Sequence, residues 1–122
     1  MKTILIVDDS TTMLMSMEGI LKRAGFQVET ATSGDAALKK LSVSCPDLMI
    51  TDLNMPGMDG ITLIKEVRKV SGMRFKPVLM LTTESQQAKR NEAKAAGATG
   101  WLVKPLKPEE LLSVVQQVSP GN

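Results

Sequence analysis

Ile4-Leu5-Ile6-Val7-Asp8-Asp9 is a run of four apolar residues, three of them β-branched, that stops at two adjacent carboxylates. A strand with one wet face alternates apolar and polar residues. A run without alternation predicts a strand covered on both faces, as in a parallel sheet. Working outward, the pattern returns in Leu48-Met49-Ile50-Thr51 before Asp52, in Val78-Leu79-Met80-Leu81 before Thr82, and in Trp101-Leu102-Val103 before Lys104. Phe26 to Ala31 instead reads as alternating, with Phe, Val and Ala on one side against Gln, Glu and Thr on the other, which predicts an edge strand.

Helical stripes fill the intervals. Met13, Leu14, Met17, Ile20 and Leu21 recur at helical spacing and stop at Ala24-Gly25, where glycine is a natural terminator. Ser33 caps a short helix carrying Ala37, Leu38 and Leu41, which ends before Cys45-Pro46. Asp59-Gly60 opens a helix with Ile61, Ile64 and Val67 inward. Ser85 caps the next, whose small face is read as Ala88, Ala95 and Ala96, with its end at Gly97. Pro108, with Glu109 and Glu110 beside it, starts a last helix bearing Leu111, Leu112, Val115 and Val118. Five strands alternating with five helices predict an α/β fold, a doubly wound parallel five-stranded sheet. Residues 1–122 read as a single domain in which only Ser119 to Asn122 fray.

Composition narrows the chemistry. Of 122 residues, 43% are hydrophobic and 23% charged, enough to bury a core and remain soluble. Only Phe26, Phe75 and Trp101 are aromatic, so aliphatic side chains and nine Met must fill the interior. A net charge of +2 is too small to make nucleic acid or a membrane the bulk partner, so any electrostatic effect has to be local. The single Cys45 precludes an internal disulfide and a thiolate metal cluster. No apolar stretch is long enough for a secretory core or a bilayer span, and the cytoplasm is the expected location. The chain has no His, which excludes Ser-His-Asp hydrolysis, His-ligated metals and phosphorylation on its own histidine.

In a parallel sheet with right-handed crossovers the C-terminal ends of all strands share one rim, where ligands bind. That rim receives Asp8, Asp9, Asp52, Thr82 and Lys104. Singly, each has a plain structural reading: Asp8-Asp9 before Ser10 can cap a helix, Asp52 can shape a turn, Thr82 can be structural and Lys104 a solvated lysine. As a group they form an acidic pocket. Carboxylates about 5 Å apart repel by ~3 kcal/mol per pair at an effective dielectric near 20, which a raised pKa or a bound cation relieves. An all-oxygen site with retained waters suits Mg²⁺. A carboxylate nucleophile, a divalent metal, Lys104 and Thr82 make half of a phosphoryl-transfer site. No G-x-x-x-x-G-K-[ST] loop accompanies them, so the phosphoryl group has to come from another molecule.

Four blocks, Ile6-Val7-Asp8-Asp9-Ser10, Thr51-Asp52-Leu53-Asn54-Met55-Pro56-Gly57-Met58-Asp59-Gly60, Leu81-Thr82-Thr83-Glu84 and Val103-Lys104-Pro105, resemble the signature blocks of response-regulator receiver domains. The likeness spans the whole chain in the right order. It implies a flavodoxin-like (βα)5 sheet in the order 2-1-3-4-5. It also implies Asp52 as phosphoacceptor, with Asp8, Asp9, Asp52 and the backbone carbonyl of Asn54 as Mg²⁺ ligands. Lys104 would pair with the carboxylate and then the phosphate, across a cis bond to Pro105. Thr82 would be the switch hydroxyl and Trp101 the switch aromatic, whose plain alternative is core filling. Asn54 and Glu84 match the pair flanking the attacking water in single-domain chemotaxis regulators of the CheY type.

That resemblance implies a signalling switch that catalyses only its own phosphorylation and dephosphorylation. The expected phosphodonor is a chemotaxis-type His kinase, and output is by docking, as a monomer, to a partner such as a flagellar motor switch or adaptor. A phosphatase is a further candidate partner, and neither nucleic acid nor membrane is an expected one. Lys89, Arg90 and Lys94, with Lys104 and Lys107 nearby, offer either a basic face for an acidic peptide or a solubilising surface. Three departures stand out: Trp101 in place of Tyr, Thr83 where a smaller residue is common, and Leu14 where chemotaxis relatives carry Arg. A phosphorelay intermediate or phosphate sink is the competing role. A haloacid-dehalogenase-like phosphatase fits less well, since the position two after the nucleophile is Asn54 and no cap domain is present.

Overall fold

The computed structural model describes residues 2–83 and 87–118. Strands β1 (Thr3–Val7), β2 (Gln27–Ala31), β3 (Leu48–Asp52), β4 (Val78–Thr82) and β5 (Gly100–Val103) alternate with helices α1 (Thr11–Arg23), α2 (Gly34–Leu41), α3 (Gly60–Val67), α4 (Gln87–Ala96) and α5 (Pro108–Val118). All strand pairs are parallel and the order is β2-β1-β3-β4-β5, as the family resemblance implied. No helix among the described residues is long and apolar enough to cross a membrane.

The unalternating strands are buried on both sides. Ile4, Ile6, Leu48, Ile50, Leu79, Leu81 and Leu102 point to one face and pack with Leu14, Met17 and Leu21 of α1 and Leu111 and Val115 of α5. Leu5, Val7, Met49, Val78 and Met80 point to the other, against α2, α3 and α4. Five Met (17, 49, 55, 73 and 80) lie in these cores, the gap-filling that a chain poor in aromatics requires.

The caps of α2 and α3 follow the sequence signals, whereas α1 is capped by Ser10 and not by the preceding Asp8-Asp9. Ser10, Ser33 and Asp59 accept hydrogen bonds from the N–H groups of Met13, Ala36 and Thr62 at the starts of α1, α2 and α3. Gly25 and Gly97, at φ +99° and +113°, end α1 and α4. The cap expected at Ser85 and the fraying expected at Ser119 to Asn122 lie outside the described residues.

Two expectations need correction. Phe26, Val28 and Ala31 do not share a face: side chains alternate along a strand, so Ala31 faces the α2–α4 side while Phe26 and Val28 join the other core. On α4, Ala93 and Ala96 form the buried stripe, whereas Ala88 and Ala95 are exposed. Uniformly small residues gave no contrast from which to read the helix rotation. A short 3₁₀ turn, Ser71–Met73, also precedes β4 and seats a fully buried Met73.

Candidate functional site

The ladder hydrogen bonds carry the strand ends into a pocket. Asp8 donates its N–H to the carbonyl of Ala31 at 3.1 Å, Leu53 to Leu81 at 2.8 Å and Lys104 to Thr82 at 2.9 Å. Each residue just past a strand is thereby held as firmly as the strand itself. Asp52 and Thr82 are the last residues of β3 and β4, and both are buried. The bond between Lys104 and Pro105 is cis, as expected.

Asp8, Asp9 and Asp52 bring carboxylate oxygens to within 4.8 Å of one another. Asp8 and Asp52 are buried and Asp9 is exposed, so the cluster opens to solvent on one side. Lys104 Nζ lies 3.2 Å from Asp52 Oδ1 and 4.0 Å from Asp8 Oδ2. Asp8 Oδ1 accepts the Ser10 N–H at 2.9 Å, while its buried Oδ2 has no hydrogen-bond partner. Burial pushes the Asp8 carboxyl above its ordinary value. The Ser10 N–H and the Lys104 charge oppose that rise, and the neighbouring Asp52 and Asp9 add to it. A buried carboxylate oxygen with no hydrogen bond, facing two further carboxylates, belongs to a donor set that fits a small hard cation. Family members generally bind Mg²⁺, and this arrangement is compatible with it.

The loop from β3 to α3 is shaped around this pocket. Leu53 and Met55 are buried and Asn54 between them is exposed, so the backbone at Asn54 is pinned on either side. Gly60 donates to the Leu53 carbonyl at 2.9 Å. A Cβ at Gly60 would overlap the Asp52 carbonyl oxygen and stand 2.9 Å from Leu53 Cα. The close approach of α3 to the end of β3 therefore requires glycine there.

The remaining sequence candidates are distributed as follows. Thr82 and Trp101 point to the α4 side of the sheet on adjacent strands, with Thr82 opposite Val103 and Trp101 opposite Met80. Trp101 is half-buried. Glu84 lies outside the described residues. Leu14 is a core residue of α1 and not part of its surface; the exposed apolar side chain there is its neighbour Met15. The basic face expected on α4 divides: Lys89 pairs with Glu92 at 3.9 Å, Lys94 is exposed, and the Arg90 guanidinium lies over the Trp101 ring, 5.0 Å from its centroid. That last contact was not anticipated, and no local sequence pattern signals it, because it depends on how α4 is rotated against β5.

Known proteins resemble the chain along nearly its full length. Residues 4–116 match the response regulator receiver domain family. Chemotaxis protein CheY-3 of Vibrio cholerae is 38% identical over 116 residues, 94% of this chain and 89% of that protein. Chemotaxis protein CheY of Pseudomonas aeruginosa is also 38% identical, with 94% of each chain covered. Among solved structures, chemotaxis protein CheY4 of Vibrio cholerae superposes with a TM-score of 0.94 at 47% identity, covering 97% of this chain and 98% of that one. The signal receiver domain of a histidine kinase from Syntrophus aciditrophicus does so with a TM-score of 0.88 at 33% identity, covering 100% of this chain and 96% of that one. A sheet of this order, a carboxylate cluster with its lysine at the strand ends, and these likenesses together place the chain in the response regulator receiver domain family of two-component signalling.

Proposed function

We propose that this chain is a phosphorylation-activated chemotaxis-type switch, with Asp52 as the phosphoacceptor. The observation that carries the reading is Lys104 Nζ at 3.2 Å from an Asp52 oxygen, inside a cluster of three carboxylates. An Asp52 oxygen attacks the phosphorus of a phosphohistidine on a partner kinase. The P–O bond forms, the P–N bond breaks, and the imidazole leaves with the bonding pair. Asp8, Asp9, Asp52 and the carbonyl of Asn54 are the groups that would hold Mg²⁺. When bound, the ion neutralises the charge on the phosphoryl oxygens.

Lys104 exchanges a carboxylate oxygen for a phosphoryl oxygen, and the Thr82 hydroxyl turns to donate to another. Trp101 then follows Thr82 on the same side of the sheet. Water returns Asp52 to the carboxylate by attack at phosphorus, flanked by Asn54 and Glu84. Chemotaxis proteins at 38% and 47% identity support a docking output, to a motor component or adaptor.

The test is labelling by acetyl phosphate with Mg²⁺. Label on Asp52 that is absent from Asp52→Asn and decays within about a minute supports the switch. Absence of label from both a small donor and a chemotaxis kinase sinks it. A second reading is favoured by the likeness to the receiver of a histidine kinase. A relay or sink predicts label lasting for hours and efficient return to a histidine-containing partner.

A further inference from the structure

Arg90 occupies an unusual position. Arg90, Ala93 and Ala96 recur every third residue on the inward stripe of α4, where Ala93 and Ala96 are buried. At the next position up that stripe an apolar side chain would be ordinary, and this chain has an arginine. Its guanidinium stacks over Trp101, and its Nε is buried without a hydrogen-bond partner among the described residues. A planar cation over an indole face is a favourable contact, but it leaves a buried donor unused, which a carboxylate would satisfy.

Two clefts adjoin Trp101. One, of about 390 Å³, runs between α4 and α5 and includes Lys94, Trp101, Val114 and Gln117. The other, of about 400 Å³, includes Trp101, Val103, Ser113, Glu109 and Glu110. The charges therefore differ at the two ends: cations on the α4 side, carboxylates on the start of α5. A partner segment that carries a carboxylate meets attraction beside Arg90 and Lys94 and repulsion beside Glu109 and Glu110.

We infer that Arg90 couples the position of Trp101 to the binding of an acidic segment. Stacked on the ring, the guanidinium holds Trp101 half-buried and is itself withheld from partners. When Trp101 moves inward, Arg90 is released, and its N–H groups pair with a carboxylate of a segment lying across α4, β5 and α5. The acidic end of that segment sits over α4 and its uncharged part against α5. By linkage, a segment that captures Arg90 favours the same inward position of Trp101. This inference rests on the receiver reading above for the event that moves Trp101, while the stacked state is a property of the protein before activation.

Trp101 is the only tryptophan, so its fluorescence reports the contact directly. In the full chain without phosphodonor, Arg90→Ala should raise the acrylamide quenching constant of Trp101 about twofold, and Arg90→Lys, which keeps the charge but loses the plane, should raise it nearly as much. The binding probe is a blocked peptide with two glutamates at one end and leucines at the other, paired with its glutamine counterpart. With beryllofluoride and Mg²⁺, wild type should prefer the glutamate peptide about tenfold. Arg90→Ala should prefer it less than threefold, and Glu109→Gln should not weaken its binding. Equal quenching in wild type and Arg90→Ala, or an unchanged preference for glutamate in that variant, overturns the inference. If Trp101 of wild type ignores beryllofluoride, the receiver reading fails and the coupling with it. That failure differs from a failure of the Arg90 assignment, because the quenching comparison needs no activation. Melting temperatures of the variants within a few degrees of wild type exclude loss of the fold as the cause.

Discussion

Asp8 carries two opposing demands in one side chain. Its Oδ1 is fixed by the Ser10 N–H, and its Oδ2 is buried, without a hydrogen bond, 4.0 Å from Lys104 Nζ and close to two other carboxylates. Burial raises its folded-state pKa, so the folded protein binds the proton more tightly than the unfolded chain does. Stability in the absence of metal therefore falls as pH rises from the ordinary carboxylate value through the raised one. Asp8→Asn keeps an oxygen for Ser10 and removes the charge. In chelator it should be more stable than wild type by about 1–2 kcal/mol at neutral pH, with a flatter dependence over that window. It should also lose the stabilisation that wild type gains from Mg²⁺, since binding stabilises only a state that binds. Thermal unfolding from pH 3 to 7, with and without Mg²⁺, checks both. Gly60→Ala acts through sterics alone. Its Cβ meets the Asp52 carbonyl, so we expect a loss of about 1–3 kcal/mol in denaturant unfolding and slower labelling of Asp52.

The elements show where local sequence decides structure and where it does not. The caps at Ser33 and Asp59 were legible because one side chain and one N–H within three residues make the whole interaction. Asp59→Ala should cost about 1 kcal/mol, measured by chemical denaturation, because the Thr62 N–H loses its acceptor. The strands were legible for a different reason: apolar runs as uniform as Ile4 to Val7 fit only a sheet covered on both sides. The failures are equally physical. Ala31 was grouped with Phe26 and Val28 by composition, although alternation along the strand sends it to the opposite face. The stripe of α4 could not be read among Ala88, Ala93, Ala95 and Ala96, since helical rotation is set by what packs against it. For the same reason Arg90 was read as surface charge, and its place over Trp101 emerged only from the packing of α4 on β5.

Across the whole molecule, the rim opposite the pocket is tied by one side chain. Arg68, just past α3, donates from Nε and Nη2 to the Gly97 carbonyl at 3.0 and 2.7 Å, and from Nη1 to the carbonyls of Met73 at 2.6 Å, Lys76 at 2.7 Å and, more weakly, Arg74 at 3.5 Å. No carboxylate faces it among the described residues, and burial lowers its pKa. The acidic pocket was legible because parallel topology gathers every strand end to one rim. Nothing in sequence announces that an arginine will join four carbonyls from the approach to β4 and the end of α4. Arg68→Met keeps much of the stem and removes the donors. We expect a loss of about 2–3 kcal/mol in denaturant unfolding, larger than for any single surface ion pair such as Lys22 with Glu18.

Arg68 also makes α4 a lever with a fixed fulcrum. The helix is anchored where Arg68 grips Gly97, and Arg90 and Lys89 stand toward the other end. Ten residues at 1.5 Å each give an arm of about 15 Å, so a tilt of about 10° displaces the far end by roughly 2.5 Å and the anchored end hardly at all. A tilt about that anchored end would move Gln87 most and Arg90, about 10 Å from the anchor, by roughly 2 Å. If α4 tilts on activation, amide exchange should show this as a gradient, with the amides of Gly97 and Ala98 equally slow in resting and activated protein and the change growing through Arg90 toward the start of the helix.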